Sequence, residues 1–465
     1  MSEQLGGMDA AFLSLETPES PMHVMGVLLL DPSAGEGFSV ERLRRIIAER
    51  VPLMPPFCRR LVEVPLDLDR PYWHNDVSVD LTQHVSYTTL PAPGDLRTLG
   101  DYVGESASIL LDRSKPLWEM HVVEGISEGR VALVAKVHHS TLYGAAGAEF
   151  IAELLDLSPE AAERPPVSAA EPAPIPTGRT LVGRAAISLL RAPLQTARLV
   201  ARGGRSAPSA VSAIRATFSR HGRDALPPMA PDLPISGTPT ARRSVSFAAL
   251  SLNRVKEVKN ANHVTINEVV LATVAIALRR YLSDRNAVPS RPVVAGVPVN
   301  VGEGTSEGTN SLTTMLVGLP MDLVDPRELV TAIQSASMAA KEFTAAVGLG
   351  SVAELADITV PAAMSFITWL TRSIGVATLQ PTVMNLVVSN VMGPPIPLYL
   401  AGAQVQAIYP MGPLLTGAGM NITVLSNLDR LDVGIMACPD LVDDCWTLAD
   451  SLESCLEELA VATIA

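Results

Sequence analysis

The sequence predicts an α/β protein of two domains joined by a proline-bounded crossover. Three observations carry this. The chain has 465 residues, too many for one ordinary core and suited to two domains of roughly 150–220 residues. Strand and helix patterns mix in both halves. Between the halves the composition shifts: Pro165, Pro166, Pro172, Pro174 and Pro176 open a segment that Pro227, Pro228, Pro231, Pro234 and Pro239 close. Proline at that density ends regular structure and marks a linker. The expected layout is a first domain over 1–160, a crossover linker over 161–240 and a second domain over 241–465.

The elements follow from periodicity. In the first domain, residues 118–124 and 130–138 flank a turn at 125–129, which predicts a hairpin. The run Val131-Ala-Leu-Val-Ala135 is wholly apolar, so its strand is expected inside a sheet covered on both faces. Residues 144–157 have helical spacing, with Phe150, Ile151, Leu154 and Leu155 on one side. The second domain opens with a strand at 244–250, a short helix at 252–260 and a long helix at 266–282. Strands are expected at 293–301, 312–319, 385–389, 420–425 and 431–436, and an amphipathic helix at 442–460 ends the pattern.

Bulk composition narrows the function. Apolar residues make up 48% and aromatics only 4%, so the cores are aliphatic. A formal net charge of −13 argues against a nucleic-acid binder. Cys58, Cys438, Cys445 and Cys455 show no paired metal-ligand spacing, which argues against a zinc site or disulfide framework and fits a reducing cytosol. The N-terminus lacks the basic and apolar regions of a signal peptide. No window holds 18 uninterrupted apolar residues; the runs at 269–278 and 360–370 are too short to span a bilayer. Any membrane contact is expected to be peripheral.

The linker has one distinctive stretch. Residues 179–223 carry nine arginines and no Lys, Asp or Glu. Arg184, Arg191, Arg198, Arg202 and Arg205 fall near one helical face, with Leu181, Leu189, Leu190, Leu194, Leu199 and Val200 among them. A basic amphipathic helix of this kind can lie on an anionic lipid surface. The alternative is a solvated crossover helix packed on an acidic body, and the sequence leaves both open.

The chemistry centres on His138-His139-Ser-Thr-Leu-Tyr143-Gly144, where a buried strand gives way to a loop. A neutral imidazole is the natural general base for an alcohol near pH 7. Successive strand side chains point to opposite faces, so the two histidines are not expected to aim at one point. This counts against a shared metal ion and suggests that one of them does the chemistry. Taken by spacing alone, adjacent histidines are more often structural than catalytic.

This stretch resembles the HHxxxDG motif of the bacterial wax ester synthase/diacylglycerol acyltransferases. Other matches run in order along most of the chain. Asp9-Ala-Ala-Phe12 and Pro21-Met-His-Val24 are similar to the family's opening, and Pro116-Leu-Trp118 to its PLW segment. Asn267-Glu268 stands where the family has Asn-Asp, and Ser389-Asn-Val-Met-Gly-Pro394 resembles its SNVxGP segment. The triacylglycerol-forming actinobacterial members are the most similar in pattern. The resemblance implies two chloramphenicol-acetyltransferase-like domains with a tunnel between them. It implies a long-chain acyl-CoA donor, a diacylglycerol acceptor and no cofactor. It also implies that His139 is the general base and His138 its support. Asn267, Glu268, Asn390 and Gly393 are then candidates for the substrate or oxyanion region, and a peripheral place on the inner membrane face or on lipid droplets is expected.

Two positions depart from the family pattern. Tyr143 replaces the motif Asp, which in related acyltransferases pairs with an arginine and holds the histidine loop. Tyrosine cannot form that pair at neutral pH, so reduced activity is one expectation. Glu268 replaces Asp, but Thr265-Ile-Asn-Glu268 also matches a helix capping box, and capping is the favoured role. Asn267 keeps a neutral hydrogen-bonding side chain at a helix N-terminus, where developing negative charge is favoured. Trp118 is expected in the core. Alternatives to triacylglycerol synthesis are wax ester synthesis with a fatty alcohol, or a degenerate paralogue that binds acyl-CoA without turnover. A condensation role in peptide or polyketide assembly is disfavoured because no carrier or adenylation module flanks the chain.

Overall fold

The computed structural model describes residues 2–34, 37–75, 79–141, 152–160, 174–188, 228–300, 312–347 and 382–464, with isolated positions between 150 and 220. Strands β1 (Ser2–Gln4), β3 (Arg59–Val62) and β4 (Tyr72–Asn75) form a small sheet ordered β1-β4-β3. Strands β2 (His23–Asp31), β5 (Val85–Thr89), β6 (Trp118–Glu124) and β7 (Val131–His138) belong to the first large sheet. Strands β8 (Ser244–Ser251), β9 (Val293–Asn300), β10 (Leu312–Leu319), β11 (Leu386–Val391), β14 (Met420–Asn427) and β15 (Arg430–Ala437) form the second, ordered β10-β9-β11-β14-β15-β8. Within it β11 runs parallel to β9 and β14, and the other pairs are antiparallel.

The remaining strands, β12 (Tyr399–Leu400) and β13 (Ala403–Met411), leave the second half and complete the first sheet, whose order is β12-β13-β2-β7-β6-β5. Residues 241–465 therefore contribute strands to both large sheets. β13 pairs antiparallel with β2 and covers an edge that would otherwise be open. An irregularity between Val405 and Ala407 breaks the register of this pairing. Just beyond it the Ile408 N–H donates to the Asp432 carboxylate of β15 at 2.8 Å, which stitches the two large sheets together. Asp432 is fully buried, and burial raises its pKa.

Each large sheet is covered according to its side-chain pattern. Three helices accompany the first: α1 (Gly7–Leu15), α2 (Val40–Arg50) and α3 (Leu96–Ala107). Every residue of β7 is buried. Val131, Leu133 and Val137 enter one cluster with Leu43, Ile46 and Ile47 of α2. Ala132 and Val134 enter another cluster with Leu99 and Val103 of α3. Burial on that scale is worth roughly 1.5–3 kcal/mol for each large aliphatic side chain. Ser39 and Asp95 cap α2 and α3 by accepting the Arg42 and Thr98 N–H groups. On α3, Gly100 and Gly104 let the β8 edge approach: a Cβ there would stand 2.6 Å from the Val245 carbonyl oxygen and 2.7 Å from that of Arg243. This close approach also joins the two halves.

The second sheet is covered by α4 (Leu252–Asn262), α5 (Ile266–Ser283), α6 (Pro326–Val347) and α7 (Cys445–Ile464), which share one aliphatic cluster with its strands. Helix α5 is buried continuously from Glu268 to Leu278, as a helix apolar on all sides is when it lies inside a core. Among the described residues no single helix is long and apolar enough to cross a membrane. The linker is described in part. Residues 178–188 are helical, and Leu181 and Ala185 pack against Val64 and Tyr72 beside the small sheet. The Arg184 guanidinium lies 5.5 Å from the Tyr72 ring centre. Leu181 thus belongs to a packed face, while Val182, Ile187 and Leu190 stand exposed. The expected arginines at 191, 198, 202 and 205 lie outside the described residues.

Candidate active site

Strand β7 ends at His138, and the chain turns immediately into a 3-10 turn, His139–Thr141. His138 lies opposite His23 of β2 in the sheet register and is fully buried. Its Nδ1 accepts the Ser140 backbone N–H at 3.1 Å, and the Ser140 hydroxyl oxygen lies 2.6 Å away. Its Nε2 lies 3.2 Å from Glu16 Oε1. Both ring nitrogens of His138 thus face the protein.

His139 is held differently. Its backbone N–H donates to the Met22 carbonyl at 2.8 Å. Its ring stacks on Phe12 of α1, with centroids 4.0 Å apart and planes 24° from parallel. The residue remains partly exposed. Burial of the ring, and then the neighbouring His138, push its pKa down to about 4, against a weaker pull from its own backbone carbonyl. Nδ1 is buried without a hydrogen bond of ordinary geometry. At neutral pH this imidazole carries no charge and can take a proton. The two histidines therefore differ, one sealed in place and one partly open, with His139 beyond the strand in the 3-10 turn.

Glu16 organises the surroundings. It follows α1 as its C-cap residue, with its N–H bonded to the Phe12 carbonyl. Its side chain is 3% exposed. Oε1 accepts the Met22 N–H at 3.2 Å, and Oε2 receives Arg113 at 3.0 Å. Burial alone would raise this carboxyl, but His138, Arg113 and the Met22 N–H outweigh it and hold it at about 2. On the same side, His23 Nε2 lies 2.9 Å from the Ala107 carbonyl oxygen. Burial, followed by the Lys136 charge, lowers its pKa to about 3. Lys136 is 1% exposed and reaches Glu119 at 3.4 Å.

The other sequence candidates sit in the second half. Thr265 and Glu268 form the reciprocal capping box: Thr265 Oγ1 accepts the Glu268 N–H at 3.3 Å, and Glu268 Oε2 accepts the Thr265 N–H at 2.7 Å. The Glu268 carboxylate is engaged in the cap. Asn267 beside it is half-buried, and its Oδ1 is buried with no hydrogen-bond partner among the described residues. Asn390 is exposed near the end of β11. Gly393 donates its N–H to Ser426 Oγ at 2.9 Å, and a Cβ there would meet the Ser426 carbonyl oxygen at 2.0 Å. Among the described residues, no hydrogen bond, ion pair or ring contact joins these four to the histidines. Tyr143 and Gly144 lie outside the described residues. Trp118 is core, fully buried, with Nε1 donating to the Phe57 carbonyl at 2.8 Å.

Sequence reasoning passed over Glu16, Arg113 and the role of Phe12. Phe12 and Met22 fall in stretches already noted for their similarity to the family's opening. Glu16 and Arg113 carry no local signal, because only the fold brings positions 16, 113 and 138 together.

Comparison with known proteins agrees with this architecture. The family model described as the wax ester synthase/diacylglycerol acyltransferase catalytic domain matches residues 5–270, and that of the WS/DGAT C-terminal domain matches residues 308–460. A putative diacylglycerol O-acyltransferase of Mycobacterium tuberculosis is 35% identical over 98% of this chain and 90% of its own length. A probable diacylglycerol O-acyltransferase of the same organism is 33% identical, with 98% of both chains covered. Among solved structures, the wax ester synthase/diacylglycerol acyltransferase from Marinobacter aquaeolei VT8 superposes with a TM-score of 0.68 at 28% identity, covering 99% of both chains. The first condensation domain of the calcium-dependent antibiotic synthetase shares the fold, with a TM-score of 0.59 at 18% identity over 100% of this chain and 97% of its own. With two family models in register and full-length relatives above 30% identity, the chain belongs to the wax ester synthase/diacylglycerol acyltransferase family.

Proposed function

We propose that this chain transfers a long-chain acyl group from acyl-CoA to the free hydroxyl of diacylglycerol, giving triacylglycerol and CoA, with His139 as general base. The observation that carries the site assignment is the contrast between the sealed His138 and the partly open, uncharged His139 clamped on Phe12. His139 takes the hydroxyl proton as the oxygen attacks the thioester carbon. The tetrahedral intermediate collapses with cleavage of the C–S bond, and the proton passes to the departing CoA sulfur. Holding both substrates together supplies much of the rate, up to roughly 7–11 kcal/mol in favourable cases. The developing oxyanion needs a donor, and we assign Asn267 to that region because its side chain, whose Nδ2 can donate, is half-buried at a helix N-terminus.

The test measures CoA release from palmitoyl-CoA with diacylglycerol or hexadecanol, for the wild type and His139→Ala. Turnover with diacylglycerol that the substitution abolishes supports the reading. Turnover with hexadecanol alone makes the protein a wax ester synthase, and acyl-CoA binding without turnover makes it a binder.

A peripheral place on an anionic lipid surface is part of the same proposal. Exposed Val182, Ile187 and Leu190 beside exposed Arg179 and Arg184 support it. Replacing both arginines with Ser should reduce co-sedimentation with phosphatidylglycerol vesicles; unchanged sedimentation would refute this contact.

A further inference from the structure

The side of the histidine motif remote from the proposed chemistry is built around one carboxylate, and that arrangement carries an inference of its own. His139 is fixed at two points among the described residues: its backbone N–H on the Met22 carbonyl and its ring face on Phe12. Both points are tied to Glu16. The Met22 N–H donates to Glu16 Oε1, so the peptide whose neighbouring carbonyl holds His139 is itself held by the carboxylate. The Glu16 backbone N–H closes the last turn of α1 on the Phe12 carbonyl, and its carboxylate is linked to the same turn through Arg113, which also binds the carbonyl of Leu13, next to Phe12. The same carboxylate stands 3.2 Å from His138 Nε2, the residue before His139. Arg113 holds its other oxygen through Nε at 3.3 Å and a terminal nitrogen at 3.0 Å, and also binds the Leu13 carbonyl of α1 at 2.7 Å.

We propose that Glu16 is the positioning residue of the site: through Met22, Phe12 and His138 it sets the orientation of the His139 imidazole without touching substrate. Arg113 keeps the carboxylate in place by bridging it to the body of α1. The arrangement needs no acid within the motif itself, which suits a chain that has Tyr143 at the position of the family's Asp. A purely structural ion pair would have no reason to engage the residue before the base, the peptide beside its anchor and the helix turn that carries its stacking partner. A displaced base of this kind costs about 10²-fold in rate when the error reaches 1 Å.

The proposal rests on His139 being the base, so its test has one readout that needs no turnover. Full-length wild type, Glu16→Gln, Glu16→Ala and Phe12→Leu are compared for kcat and KM with palmitoyl-CoA and diacylglycerol. They are also compared for the rate at which diethyl pyrocarbonate modifies His139, followed by peptide mass spectrometry with His121 as internal reference. The expected result for Glu16→Ala is a loss of about 10²-fold in kcat with KM for palmitoyl-CoA changed by less than about twofold. The isosteric Glu16→Gln should recover part of that loss, because it keeps an acceptor for the Met22 N–H. His139 modification should accelerate at least about threefold in Glu16→Gln, which loses the charged contacts to His138 and Arg113, and in Phe12→Leu, which loses the stack. If the wild type shows no turnover, the acyltransferase reading fails and the modification rates alone decide the positioning role. A folded Glu16→Gln with wild-type kcat and unchanged His139 modification would overturn the proposal; should Glu16→Ala not fold, Glu16→Gln and Phe12→Leu still decide between the two outcomes.

Discussion

With His139 as the proposed base, acid tolerance of the chemical step is the expected consequence of where it sits. An ordinary imidazole with a pKa of 6.5 is only about 3% neutral at pH 5. With burial and His138 holding His139 at about 4, about 90% of it remains neutral at that pH. The profile of kcat/KM reports the essential base of the free enzyme. It should therefore stay flat from pH 8 to about 5 and fall tenfold per unit below about 4. At pH 5 the activity should be about 30-fold higher than an unperturbed histidine would allow. The assay is initial-rate CoA release, quantified by chromatography so that detection does not depend on pH, at substrate concentrations well below KM. Stability must be controlled, because the same burial keeps protons off the native state. The His139 pKa is 6.5 unfolded and about 4 folded. Its effect on stability is negligible well above pH 6.5, and destabilisation grows as the pH falls from 6.5 towards 4, reaching about 2 kcal/mol at pH 5. His23, held at about 3, adds a similar loss at pH 5, and its loss goes on growing as the pH falls towards 3. Glu16, lowered from 4.5 to about 2, favours the fold above pH 4.5 and loses that contribution as the pH falls towards 2. Rates are therefore compared after brief exposure, with the folded fraction checked by circular dichroism. An acid limb centred at pH 6 or higher, in protein that remains folded, would refute the assignment of a buried neutral base.

Other substitutions probe the frame around the site. Asp156→Ala strips the buried Arg50 of its bidentate partner, held at 2.7 Å to both oxygens, and should cost about 3–5 kcal/mol in urea unfolding, as loss of one member of a buried pair does. A cost below about 1 kcal/mol would mean that the pair is solvated. Thr265→Ala removes the side-chain half of the α5 capping box and should cost about 1 kcal/mol by thermal melting, with KM for acyl-CoA unaffected. Gly393→Ala forces a Cβ against the Ser426 carbonyl oxygen and should destabilise by about 1–3 kcal/mol; an unchanged melting temperature would show that the loop yields freely.

The fold was legible where local pattern and environment agree. The apolar run of β7 announced a strand buried on both faces, and Thr265 with Glu268 announced the start of α5 to the residue. The 118–138 hairpin forms as its turn predicts, with Trp118 opposite Val137. The exchange of β12 and β13 into the first sheet was not legible. A strand's alternation reports which of its faces are buried, but carries no label for the sheet that buries them. Only the need of the β2 edge for a partner, and of the Ile408 N–H for the Asp432 carboxylate, selects that destination.

The site shows the same division more sharply. The end of β7 at His138, with His139 opening a 3-10 turn, puts two adjacent histidines into different surroundings, and the buried strand before them is visible in sequence. Which of the two stays open depends on what arrives from elsewhere. Glu16 and Arg113 reach the motif from α1 and from position 113, and the carboxylate faces His138. His139 is left with an aromatic wall on one face and, among the described residues, no ion pair. Had the acid met His139 instead, the imidazole would be drawn towards its charged form, and its usefulness as a base at neutral pH would fall. A fold does not by itself set the chemistry; the few side chains that converge on the end of β7 do.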